Sequence, residues 1–210
     1  DRFWHLIPGI GQFNFPASML SWDVIVLNGY LLLNVHICGY LLYCRYQGRK
    51  PAKWFYIPFV FIAIVWAVSI HTVTAFLYVG LGGRPFWNSS IVGPRFLASA
   101  FTAGPALIIL LLQAVRRTSG YPVGQSVIET LSLIMGVSLQ ISLFFVGAEL
   151  FTDFYNEGTH SASIRYLYFG LHGLTGLRRY IWTALTLNVI AVVILSIHAL
   201  RQRTVLLNIA

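Results

Sequence analysis

Residues 66–101, WAVSIHTVTAFLYVGLGGRPFWNSSIVGPRFLASAF, decide how this chain folds. The segment opens inside an apolar run, breaks into a glycine-rich turn, and re-enters apolar sequence just after Arg95. A run of about twenty apolar residues is the length at which a helix crosses the hydrocarbon core of a bilayer. His71 lies within the first run, and Arg84, Pro85 and Trp87 lie in the turn. An ionisable side chain inside a membrane helix is costly, so His71 is a functional candidate by default. The basic turn, with Arg84 and Arg95, is a candidate docking point for a lipid headgroup or a partner.

The composition agrees with a membrane setting. The 210 residues are 57% hydrophobic and 10% charged, with a mean hydropathy of +0.73. A soluble domain carries about 25% charged residues. The formal net charge of +8 needs no nucleic acid to explain it, because the basic residues cluster between apolar runs, where they act as topology signals at anionic membrane surfaces. Cys38 and Cys44 are spaced for neither a CxxC motif nor an iron–sulfur cluster and read as inert membrane residues. The chain begins at Asp1 rather than Met, which reads as a piece of a longer protein with helices before it.

The chain is therefore expected to be an all-α membrane protein, a single domain over residues 1–210 with about five transmembrane helices. The expected spans are 18–44, 54–81, 94–115, 125–151 and 179–200, after an aromatic, Pro- and Gly-containing start that suits the interface. Pro105 predicts a kink in the third span. Residues 152–178 form a longer connection, in which SASIRYLYFGLHGL reads as a re-entrant or surface helix. Alternate loops then fall on opposite sides. Arg45, Arg49, Lys50, Lys53, Arg116, Arg117, Arg201 and Arg203 make eight on one side, against six on the other from Arg2, Arg84, Arg95, Arg165, Arg178 and Arg179. The richer side should face the cytoplasm.

In that orientation Asp23, His71 and Glu149 sit on three helices in the outer half of the membrane. Helical spacing puts Asp23 on a face with Tyr30 and Asn34, and His71 on a face with Thr74 and Tyr78. A redox quinone needs hydrogen-bond partners at its ring oxygens and a base that exchanges protons as electrons move. His71, Asp23 and Glu149 supply the catalytic set, and Tyr30, Thr74 and Tyr78 supply hydrogen bonds to the ring. A purely structural alternative stays open, in which each acid pairs with an arginine and His71 bonds a neighbouring carbonyl to hold helices together. His5 and His160 read as interfacial, and His172 falls in the outer connection. A b-type haem would need two histidines facing one another at one depth, either His36 and His198 or His71 with a partner.

Four stretches, SMLSWDVIVLNGYLLLN, WAVSIHTVTAFLYVGLGGRPFWN, PRFLASAFTAGPALIILL and GAELFTDFY, together resemble the NrfD/polysulfide reductase membrane subunit family, of the DsrP and HmcC type. The resemblance covers most of the chain, and its most specific part is IHT with GLGGRPFW and RFLASAF. It implies a multi-pass protein of a bacterial or archaeal cytoplasmic membrane, with no haem or metal of its own. It further implies menaquinone or ubiquinone bound near the periplasmic face as exchangeable substrate. Electrons would pass to or from a periplasmic iron–sulfur, ferredoxin-like subunit, with cytochrome c and other respiratory subunits as further partners. His71 matches the family's membrane histidine, and Asp23 resembles its acidic partner position. Proton translocation through the bundle is a further expectation. Two other readings compete, a b-haem cytochrome subunit and a transporter or scaffold in which Asp23 and Glu149 line an ion path without redox chemistry.

Overall fold

The computed structural model describes residues 4, 7, 9–156, 158–197 and 207, with the side chains of 85, 159 and 160 excepted. Arg2, His5, His198, Arg201 and Arg203 lie outside the described residues, as does the side chain of His160. The described residues form six α-helices and no strand: α1 (Met19–Tyr46), α2 (Lys53–Val79), α3 (Val92–Ser119), α4 (Gln125–Tyr155), α5 (Thr159–Phe169) and α6 (Arg178–Ser196). Five of them, all except α5, are long and apolar enough to cross a membrane. The chain divides into two compact units, Asp1–Leu81 and Gly82–Ala210.

Local chemistry sets the helix ends. α1 stops where Gly48 takes a positive φ of 65° and the amide of Arg49 turns back to the carbonyl of Cys44. α3 stops at Gly120, which adopts the left-handed conformation that glycine accepts without a steric penalty. Pro122 and Gly124 fill the short link to α4. Helix α3 continues through Pro105, as α2 does through Pro58. In such helices neighbouring groups take up the backbone positions a proline leaves open. The connection expected at 152–178 contains α5, whose 11 residues rise only about 16 Å, too short to span a bilayer. It ends at Gly170, where an added Cβ would come within 2.8 Å of the carbonyl oxygen of Leu174.

Large apolar side chains point outward from the helices: Leu32 is 68% exposed, with Leu31, Phe61, Val65, Leu111 and Phe144 similarly open. A water-soluble monomer does not carry apolar surface on this scale, whereas lipid solvates it. In the first unit α1 packs against α2. In the second, α4 lies against α3 and α6, and α5 packs on α4, on α6 and on the 3-10 turn Pro85–Trp87. The core of this second unit is formed by Ile109, Ile128, Met135, Leu139, Ala191 and Leu195, joined by Leu207.

Candidate functional site

In the first unit the two helices are held by contacts that run along their shared seam. Near one end the Thr74 hydroxyl donates to Asp23 Oδ1 at 2.9 Å. Ala75, beside Thr74, is fully buried, which lets the helices close at this level. Further along, Trp66 Nε1 donates to the carbonyl of Val26 at 2.8 Å, and its indole lies over Gly29. Towards the loop the His36 ring packs on Phe55 and Phe59, with centroids 5.0 and 4.3 Å away. Its Nε2 lies 3.5 Å from the Phe55 carbonyl.

This register sets the surroundings of His71. The residue is half-buried, one helical turn from Thr74 on the same stripe of α2, and Tyr78 follows one turn beyond Thr74. Asp23 therefore lies at a hydrogen-bonded contact one turn from the histidine. Among the described residues no hydrogen bond engages the His71 ring. Tyr30 lies two turns from Asp23 on α1, also half-buried, and its backbone carbonyl accepts from Asn34 Nδ2 at 2.8 Å. An apolar cleft of about 350 Å³, lined by Gly29, Leu32, His36, Phe59 and Trp66, runs along the same hairpin.

In the second unit the structure joins two residues to which the sequence assigned separate tasks. The Arg95 guanidinium, expected to dock a partner or headgroup, is ion-paired through Nη1 with Oε2 of Glu149, expected to exchange protons. The pair ties α3 to α4, with Glu149 only 7% exposed and the Arg95 side chain 34% exposed. Tyr168 of α5 lies within the electrostatic reach of both. Burial pushes its phenol above the ordinary value, the Arg95 cation opposes this, and the Glu149 carboxylate adds to it. Tyr168 was not singled out from the sequence, since nothing in the pattern of an aromatic connection marks which ring turns inward. Arg84 stands over the Trp87 ring at 5.1 Å.

Asp23, His71, Thr74, Tyr30 and Tyr78 thus belong to one hairpin, while Glu149 and Arg95 form a separate pair in the other unit. Among the described residues there is no group of three or more His, Cys, Asp or Glu side chains arranged to hold a metal ion. Of the His36–His198 pair considered for haem, His36 is packed among phenylalanine rings and His198 lies outside the described residues.

Comparison with known proteins follows the same line. Residues 1–209 match the family described as polysulphide reductase, NrfD. The chain is similar to the integral membrane subunit of an Hdr-like menaquinol oxidoreductase of Archaeoglobus fulgidus, 24% identical over 161 residues, which cover 77% of this chain and 39% of that protein. It is similar as well to a selenate reductase subunit of Mesobacillus selenatarsenatis, 23% identical over 193 residues, covering 76% of this chain and 44% of that protein. The chain spans less than half the length of either relative. It belongs to the polysulphide reductase NrfD family and is a multi-pass membrane protein.

Proposed function

We propose that this NrfD-family chain forms part of a quinone-reactive membrane subunit of a respiratory oxidoreductase in a bacterial or archaeal cytoplasmic membrane. On this reading it exchanges electrons between a menaquinone or ubiquinone pool and a periplasmic iron–sulfur partner subunit. The menaquinol oxidoreductase named among its relatives supports the substrate class. The observation that carries the reading is the Thr74–Asp23 hydrogen bond one turn from His71.

A quinol supplies two electrons and two protons when it is oxidised, and a quinone takes up the same number when it is reduced. The side chains must therefore hold a ring oxygen and relay protons. His71 presents a ring nitrogen with no competing bond among the described residues, and as a neutral imidazole it can donate to or accept from a ring oxygen. Thr74 fixes one carboxylate oxygen of Asp23, which leaves Oδ2 to take a proton. Tyr30 and Tyr78 flank this polar end at one- to two-turn spacing, and the apolar cleft beside Trp66 suits an isoprenoid tail. Glu149, charge-balanced by Arg95, is a second proton-carrying carboxylate in the proposal, and Arg84 is the candidate contact to a partner. Proton translocation belongs to the same proposal.

The test is a fluorescence-quenching titration of a quinol-analogue inhibitor against the full chain and its His71→Ala variant. Saturable quenching by the wild type, weakened at least tenfold in the variant, is expected. Identical curves for the two proteins, or no saturable binding by the wild type, overturn the assignment.

A further inference from the structure

We infer that the corner formed by α4, α5 and α6 is a site for one anionic phospholipid, with the phosphate held by Arg178 and Arg179 and an acyl chain lodged between the helices. The starting observation is an electrostatic conflict. Arg178 and Arg179 are the first two residues of α6, and the N-terminal end of a helix already carries partial positive charge. The first turn holds no acidic residue, and Leu177 at the N-cap makes no side-chain capping bond. Arg179 is turned onto Tyr180, with Nη2 3.1 Å from the phenol oxygen and the guanidinium 4.9 Å from the ring centroid. Among the described residues no hydrogen bond or ion pair engages the Arg178 side chain. Two adjacent cations at a positive helix end, with no carboxylate paired to them among the described residues, call for an anion.

The surroundings define which anion. The arginines border a cavity of about 650 Å³ together with Thr175, Gly176 and Trp182. Trp182 is also a wall of a second cleft of about 480 Å³, lined by Phe151, Phe154, Tyr168, Phe169 and Leu185. The indole N–H is already committed, donating to the Tyr168 carbonyl at 2.9 Å, so Trp182 offers that second cleft an apolar wall. A basic mouth and an aromatic and aliphatic slot thus border the same tryptophan. Free phosphate would use only the mouth and a hydrocarbon only the slot, whereas a phospholipid uses both. The position at the end of a spanning helix, among Trp and Tyr side chains, is the depth of lipid headgroups. Guanidinium pairs bind phosphate strongly and repel the ammonium of a zwitterionic headgroup, which selects an anionic lipid.

Native mass spectrometry of the full chain, released from micelles doped with phosphatidylglycerol or with phosphatidylcholine, tests this directly. One phosphatidylglycerol should be retained at a lipid concentration at least tenfold below that needed for phosphatidylcholine. The Arg178→Gln/Arg179→Gln variant should lose that preference. Leu185→Trp, which fills the slot and leaves both arginines in place, should weaken phosphatidylglycerol retention by a similar factor and decides the matter if the double variant does not fold. Inorganic phosphate in excess should not displace the lipid. Equal retention of the two lipids, unchanged retention in Leu185→Trp, or displacement by inorganic phosphate overturns the inference, the last by assigning the mouth to a free anion.

Discussion

The Arg95–Glu149 pair is lopsided, and the asymmetry is testable. The carboxylate is almost fully enclosed, while a third of the arginine side chain remains accessible. Removing the cation strands a buried charge, a mechanism that costs about 3 kcal/mol or more when a buried ion pair is broken. Removing the carboxylate leaves an arginine long enough to turn its head towards water, so the loss should be nearer that of one hydrogen bond, about 1 kcal/mol. Arg95→Gln should therefore lower the thermal unfolding temperature in detergent clearly more than Glu149→Gln. Equal losses, or the opposite order, would mean that Glu149 is not held in a closed site. The same pair shows where sequence reading stops. Each residue was visible as a charge beside an apolar run, yet they are 54 positions apart on different helices, and no spacing rule links them. Asp23 and His71 were equally visible, and Thr74 was marked by its position on the His71 stripe. That Thr74 is the group bonded to Asp23 became visible only with the helices packed.

At the scale of the element, the first hairpin depends on how closely α1 and α2 approach at Gly29. A Cβ built there would lie 2.6 Å from Trp66 Cζ2, far inside van der Waals contact. The Trp66 indole is in turn anchored by its bond to the Val26 carbonyl, so it cannot move aside cheaply. Gly29→Ala should cost about 1–3 kcal/mol through overpacking. In a Trp66→Leu background, where the obstructing ring is gone, the same substitution should cost little. A double-mutant cycle on thermal unfolding checks the coupling, and an identical penalty in both backgrounds would show that the contact does not limit the approach. The apolar runs announced the existence of these helices, since about twenty residues without charge have few other destinations in a cell membrane. Their facing sides were not announced. α1 and α2 are apolar around most of their circumference because lipid surrounds them, so hydrophobic pattern carries no stripe to show which side meets a neighbour. The end of α1 at Tyr46 lies within two residues of the expected position 44, whereas α3 runs to Ser119, past the expected position 115, and the end of α4 was missed by as much. That helix runs on to Tyr155, past the Phe151 expected from hydropathy, because a helix continues beyond the apolar layer until its backbone finds another partner.

For the whole molecule, the remaining question is orientation, and the charge distribution makes a definite statement. The loops after α1 and after α3 carry Arg49, Lys50 and, just before the second loop, Arg116 and Arg117, and alternation of five spans predicts the opposite side for α5 and the Gly82–Arg84 turn. The bias of eight basic residues against six is small because Arg84, Arg95, Arg178 and Arg179 stand on the poorer side. Three of these have a role other than topology in the structure or the proposals built on it: Arg95 neutralises Glu149, and Arg178 and Arg179 are assigned to lipid phosphate. Discounting them strengthens the bias, so the loop at Gly48 is predicted to be cytoplasmic and the turn at Gly83 external. Single cysteines placed in a Cys38→Ala/Cys44→Ala background give the measurement. Gly83→Cys and Thr175→Cys should react with a membrane-impermeant maleimide on intact cells, and Gly48→Cys and Tyr121→Cys only after the membrane is opened. Reversed labelling would invert the protein and move the His71 end of the hairpin to the cytoplasmic side, where a periplasmic redox partner could not reach it. Labelling of Gly48→Cys and Gly83→Cys from the same side would mean that α2 does not cross the membrane.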